Sequence, residues 1–225
     1  MKRSGRAFMV VLLVLITSCT DDRITFARGP LGPASYEVTA QASGESDERQ
    51  EHTATLRVEP ATDGARLVLR SSAGVVTADL SVAADGSVDL TRVRGAAFES
   101  GGQTELASLV GQLNPSLPDE PVRLGEPWSS TQRITTRALA ASLETELRIV
   151  RFRRVASTDA AELRGDVTGR LRVNDPTRPL DGSLTGSTRI VWAVEAGRVV
   201  EADTELIWTL SDGTRVTLAT SVRSN

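Results

Sequence analysis

The sequence predicts a mainly β domain, an antiparallel sheet assembled from two similar halves. Two observations lead there. Apolar and polar residues alternate with period two along most of the chain, and one set of segments is echoed about 100 residues later. Thr214, Val216, Leu218, Thr220 and Val222 face one way, with Arg215, Thr217, Ala219 and Ser221 opposite. Val200, Ala202, Thr204, Leu206, Trp208 and Leu210 share one face of the preceding run, and Glu201, Asp203 and Glu205 the other. Ser211-Asp212-Gly213 joins the two runs as a hairpin turn. Strands that are wet on one face and covered on the other read this way, as antiparallel sheets do.

In chain order the first element is an export signal. Lys2, Arg3 and Arg6 form a positive stretch, and Ala7 to Ile16 an apolar one. That run is too short to span a bilayer and the right length for a signal peptide over residues 1–18. Ile16-Thr17-Ser18-Cys19 resembles the lipobox of bacterial lipoproteins. The resemblance implies that Cys19 becomes the first mature residue and is lipidated with two or three acyl chains. Cys19 is the chain's one cysteine, so no internal disulfide competes for it. Several chains anchor a protein firmly where one does so marginally. Residues 19–34, with Asp21-Asp22, Gly29-Pro30 and Gly32-Pro33, read as a lipidated flexible tether with a reach of roughly 50 Å.

The β domain is expected over residues 35–225. Its first half, 35–94, carries strand candidates at 35–43, 51–59, 65–71 and 76–82, and Asp85-Gly86 turns the chain into 87–93. The second half, 128–225, has candidates at 128–137, 143–155, 160–173 and 184–195 before the final hairpin. Residues 138–149 are ambiguous, with helical composition between strand-like flanks. The echo pairs Leu56-Arg57-Val58 with Phe152-Arg153-Arg154-Val155, and the run Ala78–Val88 with Arg189–Val199.

Between the halves lies a connector, 95–127. Leu106, Leu109, Val110 and Leu113 stand at helical spacing, and Pro115 ends the run, which predicts one short helix. Pro118, Pro121 and Pro127 then make an extended strap. Within it Pro121-Val122-Arg123-Leu124-Gly125-Glu126-Pro127-Trp128 fits a P-V-x-x-G-x-x-W pattern. Behind a lipobox and between β-rich halves, this resembles a group of uncharacterised bacterial lipoproteins. Those proteins are similar in turn to the half-barrels of LolA/LolB- and LppX/LprG-type lipid carriers. The resemblance implies a strongly curved sheet, half-barrel or barrel-like. The carriers have more helix capping the sheet than this chain supplies.

Charge and composition narrow the function. Three of the 26 basic residues and none of the 29 acidic ones fall in the signal. That leaves 23 arginines against 29 carboxylates, an acidic mature chain with no basic run, which argues against a nucleic-acid partner. His52 is the only histidine, and it follows a charged stretch as an exposed loop-edge residue would. No nucleophile elbow, phosphate-binding loop or H-E-x-x-H is present, and one histidine with a lipidated cysteine cannot build a zinc site. Asp63, Asp85 and Asp212 precede glycines, and Asp159, Asp175 and Asp181 lie in connections, so turn chemistry accounts for them. The expectation is a non-catalytic protein without metal or cofactor.

Two functions then compete. In one, Trp128, Trp192 and Trp208 line a concave sheet face that receives an apolar or lipidic ligand. In the other, the domain presents its surface or a strand edge to another envelope protein. Both place the chain on the extracytoplasmic side of a membrane, held by its N-terminal lipid. Thr20 after the cysteine points to the outer membrane in a Gram-negative cell.

Overall fold

The computed structural model describes residues 23–26, 33–44, 49–61, 64–72, 74–82, 88–95, 109, 112–113, 115, 117–135, 139–174 and 179–225. Thirteen strands stand among them: β1 (Arg23–Ile24), β2 (Ala34–Ser43), β3 (Arg49–Ala61), β4 (Gly64–Ser71), β5 (Gly74–Val82), β6 (Val88–Arg94), β7 (Val122–Arg123), β8 (Pro127–Thr135), β9 (Leu139–Val155), β10 (Thr158–Val173), β11 (Leu180–Ala193), β12 (Arg198–Leu210) and β13 (Arg215–Ser224). Eleven of them form one antiparallel sheet in the order β6-β5-β4-β3-β2-β13-β12-β11-β10-β9-β8. The first half is thus a five-stranded meander and the second a six-stranded one. They join where β2 pairs with β13, Val38 opposite Val222. The edge strands β6 and β8 approach within 8 Å between Cα atoms, though they do not pair.

Alternation delivers what the sequence predicts. One face, called inner here, carries Val38, Leu56, Leu67, Ile149, Leu163, Ile190, Ala202 and Val222, each at most 2% exposed. Register keeps them on that face: Ile149 lies opposite Leu163, Leu163 opposite Ile190, and Ile190 opposite Ala202. The ambiguous 138–149 segment belongs to β9. Leu143, Leu147 and Ile149 turn inward and Glu144, Glu146 and Arg148 outward, so ladder pairing with β8 and β10 overrides the helical leaning of Ala, Leu and Glu. The final hairpin closes as expected. The Asp212 carboxylate accepts a hydrogen bond from the Thr214 backbone N–H, and Gly213 takes φ +92°.

One sequence expectation meets a different structure. The tether expected through residue 34 is docked at 23–26: β1 pairs with β7, Ile24 opposite Val122, and Phe26 is only 4% exposed. Its ring centroid lies 5.9 Å from that of Trp128. Arg23-Ile24-Thr25-Phe26 is itself a short alternating run, overshadowed in the sequence by the Gly-Pro pairs after it. Most of the helix expected at 103–113 lies outside the described residues. Leu109, Gln112 and Leu113 have helical backbone, and no helical element is complete among the described residues. Leu109, Leu113, Leu117 and Val122 are buried in the same core cluster as the inner face, so the connector lies over it.

Four glycines, Gly165 and Gly169 on β10 and Gly182 and Gly186 on β11, sit on the inner face. A Cβ at Gly186 would come 2.0 Å from the Glu205 carbonyl oxygen, and one at Gly165 would come 2.6 Å from that of Glu146. Neighbouring backbone occupies the space of a side chain there, as glycines allow at sharp bends of a sheet. Gly186→Ala is therefore expected to cost about 1–3 kcal/mol, as overpacking does. Gly44→Ala, with nothing within 4 Å, should stay within about 0.5 kcal/mol of the parent. Urea unfolding midpoints compare the two, and equal midpoints would refute the steric account.

Candidate functional site

The inner face divides into two apolar regions. The larger runs from Tyr36 and Leu56 through Ile149 and Leu163 to Trp192, and the N-terminal and connector residues cover it. The smaller comprises Leu143, Val167, Leu171, Leu184 and Leu206, with Trp208, Leu210, Ala141 and Val173 packed at its margin. Every described member of that smaller region is a sheet residue. Between the two regions a row of polar residues crosses three strands: Thr188, Thr204 and Thr220 are opposite one another in register and at most 9% exposed. The Thr188 and Thr204 hydroxyls lie 2.8 Å apart, and the Gln112 amide of the connector donates to Thr220. Each hydroxyl therefore has a partner, which a buried polar row requires.

The three tryptophans are distributed over this face. Trp128, on β8, is partly buried against the larger region beside Phe26. Trp192, on β11, is 5% exposed and lies within the larger region. Trp208, on β12, is opposite Leu184 and belongs to the smaller region. They do not converge on one pocket. Along β11, Trp192 and the residue facing Trp208 are eight positions apart, roughly 26 Å at strand rise. The indole Nε1 atoms of Trp192 and Trp208 are both buried without a hydrogen-bond partner among the described residues. A buried donor left so costs about 1–3 kcal/mol.

Cys19, Asp63, Asp85 and Asp175 lie outside the described residues. His52 is exposed on β3, opposite Ala40. Asp159 and Asp181 stand near Arg154 and Arg172 at 3.5 and 4.0 Å, all four well exposed. Among the described residues no group of three or more His, Cys, Asp or Glu is placed to hold a metal ion. No helix among them is long and apolar enough to cross a membrane.

The outer face holds what the sequence reading missed. Glu162, on β10, has a fully buried side chain, and the guanidiniums of Arg151, Arg164 and Arg189 converge on it at 2.7, 3.2 and 3.3 Å. Arg189 also reaches Glu201 at 3.2 Å and Asp203 at 2.9 Å. Arg153 closes on Glu201 at 2.7 Å and Arg223 on Asp203 at 2.8 Å. Glu201 and Asp203, which alternation alone marks as solvated surface, are thus links in a ladder of charge across β9 to β13. The clue in the sequence is Glu162 itself, an acid between Ala160-Ala161 and Leu163.

Burial would raise the Glu162 pKa, but the bonds from Arg151, Arg189 and Arg164 outweigh it and hold the carboxyl at about 2. Burial opposes and arginines likewise prevail at Glu201 and Asp203, both lowered. Carboxylates held ionised in this way are structural ties and poor proton donors.

Beside the ladder the outer face opens into a polar groove of about 630 Å³, bordered by Arg148, Arg164, Glu146, Asp166, Ser187 and Glu205. No family model matches the chain, and no curated protein matches it. One solved structure, a LolA superfamily protein from Nitrosomonas europaea, is similar at 11% identity over 88% of each chain, with a TM-score of 0.20. A score that low carries no inference about fold or function.

The ladder sets a pH dependence. The folded pKa of Glu162 lies below the roughly 4.3 of a free glutamate, so its stabilisation is complete above the unfolded value. It is lost as pH falls from about 4.5 through about 2. The loss is at most about 3 kcal/mol, reduced by solvent around Arg151 and Arg164, each with 58% side-chain exposure. Unfolding free energies measured from pH 6 to pH 2 should fall steeply in the parent and less steeply in Glu162→Gln. Parallel profiles would show that Glu162 does not titrate with folding.

Proposed function

We propose that the chain is a lipid-anchored envelope protein, held through Cys19, that binds an amphiphilic ligand on the inner face. The supporting observation is the smaller apolar region. Among the described residues it is built from sheet residues alone, and its Trp208 carries a buried N–H with no acceptor there. An apolar chain lying along Leu184, Leu206 and Val167 would bury against carbon. An ester or carboxyl oxygen at its head would accept from the indole.

Curvature belongs to this reading. The approach of the two edge strands to within 8 Å supports a sheet that bends round, and the inner-face glycines would permit the bend. The two meanders, with the echoed segments on β3 and β9 and on β5 and β11, fit a duplicated half. A docking role through an open strand edge has less support, because the two edge strands come within 8 Å of each other. The same reading places the protein on the outer membrane of a Gram-negative cell, without catalysis and without nucleic acid.

Native mass spectrometry of the chain purified from a bacterial envelope tests it, with the denatured sample extracted for lipid. A non-covalent amphiphile at one per chain is expected. Trp208→Phe, which keeps the ring and removes the donor, should lower the affinity up to about tenfold. A bare mass, together with unchanged tryptophan emission on titration with a fatty acid, would rule the reading out.

A further inference from the structure

We propose that the outer-face groove is a second site, for a small zwitterion carrying a phosphate-type anion and a primary ammonium. It lies on the opposite side of the sheet from the amphiphile site and does not depend on it. The argument starts from register. Arg148 and Arg164 are directly opposite each other on β9 and β10, and two positions along the same strands Glu146 and Asp166 are opposite each other. The acidic row continues through Ser187 to Glu205 on β12. Like charges facing each other across an antiparallel pair destabilise it, and here two such pairs of opposite sign are stacked. They are about 7 Å apart along the strands and border one groove of about 630 Å³.

The pairs are not neutralised from within. Among the described residues Arg148, Glu146, Asp166 and Glu205 make no ion pair or hydrogen bond through their side chains. Arg164 does touch Glu162, but it shares that single carboxylate with Arg151 and Arg189. Across the whole ladder five guanidiniums (Arg151, Arg153, Arg164, Arg189 and Arg223) meet three carboxylates (Glu162, Glu201 and Asp203), which leaves positive charge on this side of the groove. A phosphate seated between Arg148 and Arg164 would take charge-assisted hydrogen bonds from both. An ammonium a few ångströms away would donate to Glu146 and Asp166, with Glu205 next in the row. Either half alone would meet one attractive and one repulsive row, so the groove selects for both charges on one molecule. Phosphoethanolamine is the simplest molecule of this class, free in solution or as a lipid headgroup.

Isothermal titration of the purified chain with O-phosphoethanolamine, inorganic phosphate, ethanolamine and monomeric dihexanoyl-phosphatidylethanolamine tests the site. Phosphoethanolamine, in free or short-chain lipid form, should saturate one site per chain at least tenfold more tightly than phosphate or ethanolamine alone. Arg148→Gln and Asp166→Asn should each weaken it about tenfold, and Gly44→Ala, which lies outside the groove, should leave it unchanged. The exchange of Arg148→Glu with Glu146→Arg keeps net charge and should abolish binding. Arg148, Asp166 and Glu146 are exposed side chains, and far-UV circular dichroism checks that each variant is folded. Binding of both forms with the same variant dependence assigns the source to a lipid headgroup as well as a solute, and binding of the free form alone assigns it to a solute. Equal affinity for phosphate alone, indifference to Arg148→Gln and Asp166→Asn, or no saturable binding of either form would overturn the proposal.

Discussion

A slip of one residue of β11 against its neighbours would carry Arg189 off the outer face and set it between Leu163 and Ala202. Because side chains alternate strictly along a strand, every other residue of β11 would change faces with it. The charge ladder, the threonine row and both apolar regions exist only in the observed register. Steric features hold that register in place. Gly186 stands against the Glu205 backbone, and bulges at Glu162/Leu163 and Val191/Trp192 fix where the ladder may shift. Arg189 ties β11 to β10 and β12 at once, through Glu162, Glu201 and Asp203. The ionic contacts on one face thus hold in place the packing on the other.

The threonine row gives the inner face an internal boundary. Above it, Leu109, Leu113 and Leu117 of the connector fill the apolar surface, and Gln112 bonds to the row itself. Below it, the apolar surface is contributed by β9 to β12. Hydroxyls at these positions cost little while they bond to each other, and substitution of one alone would leave its partner unsatisfied.

Much of the sheet was legible because strand alternation is a local signal. Residues 200–222 announce both strands and the turn between them, and β2 to β5 lie within a few residues of where alternation placed them. Trp192 and Trp208 were correctly read onto apolar strand faces. Their separation into different regions was not legible, since it depends on how far each lies from the threonine row once β11 and β12 are in register. Glu201 and Asp203 looked like solvent-facing acids because alternation records which face a residue takes and not what waits on the neighbouring strands. Arg153, Arg189 and Arg223, their partners, come from three other strands. The docking of Phe26 escaped notice for a similar reason, its contact with Trp128 spanning a hundred residues.

The position of β13 bears on how such a chain comes to be folded. It is the last of the thirteen strands in sequence, yet it lies inside the sheet, between β12 and β2. While residues 215–224 are still missing, β2 and β12 both present unpaired backbone along a full strand. The five-stranded meander therefore waits, through most of synthesis, with an adhesive border exposed. Joining residues 36–43 to 217–224 closes a loop of nearly the entire domain, the kind of contact that forms late and slowly. A nascent chain of this design would lean on holding factors until residues 215–224 arrive, and a stop just before them would leave two sticky half-sheets in place of one domain.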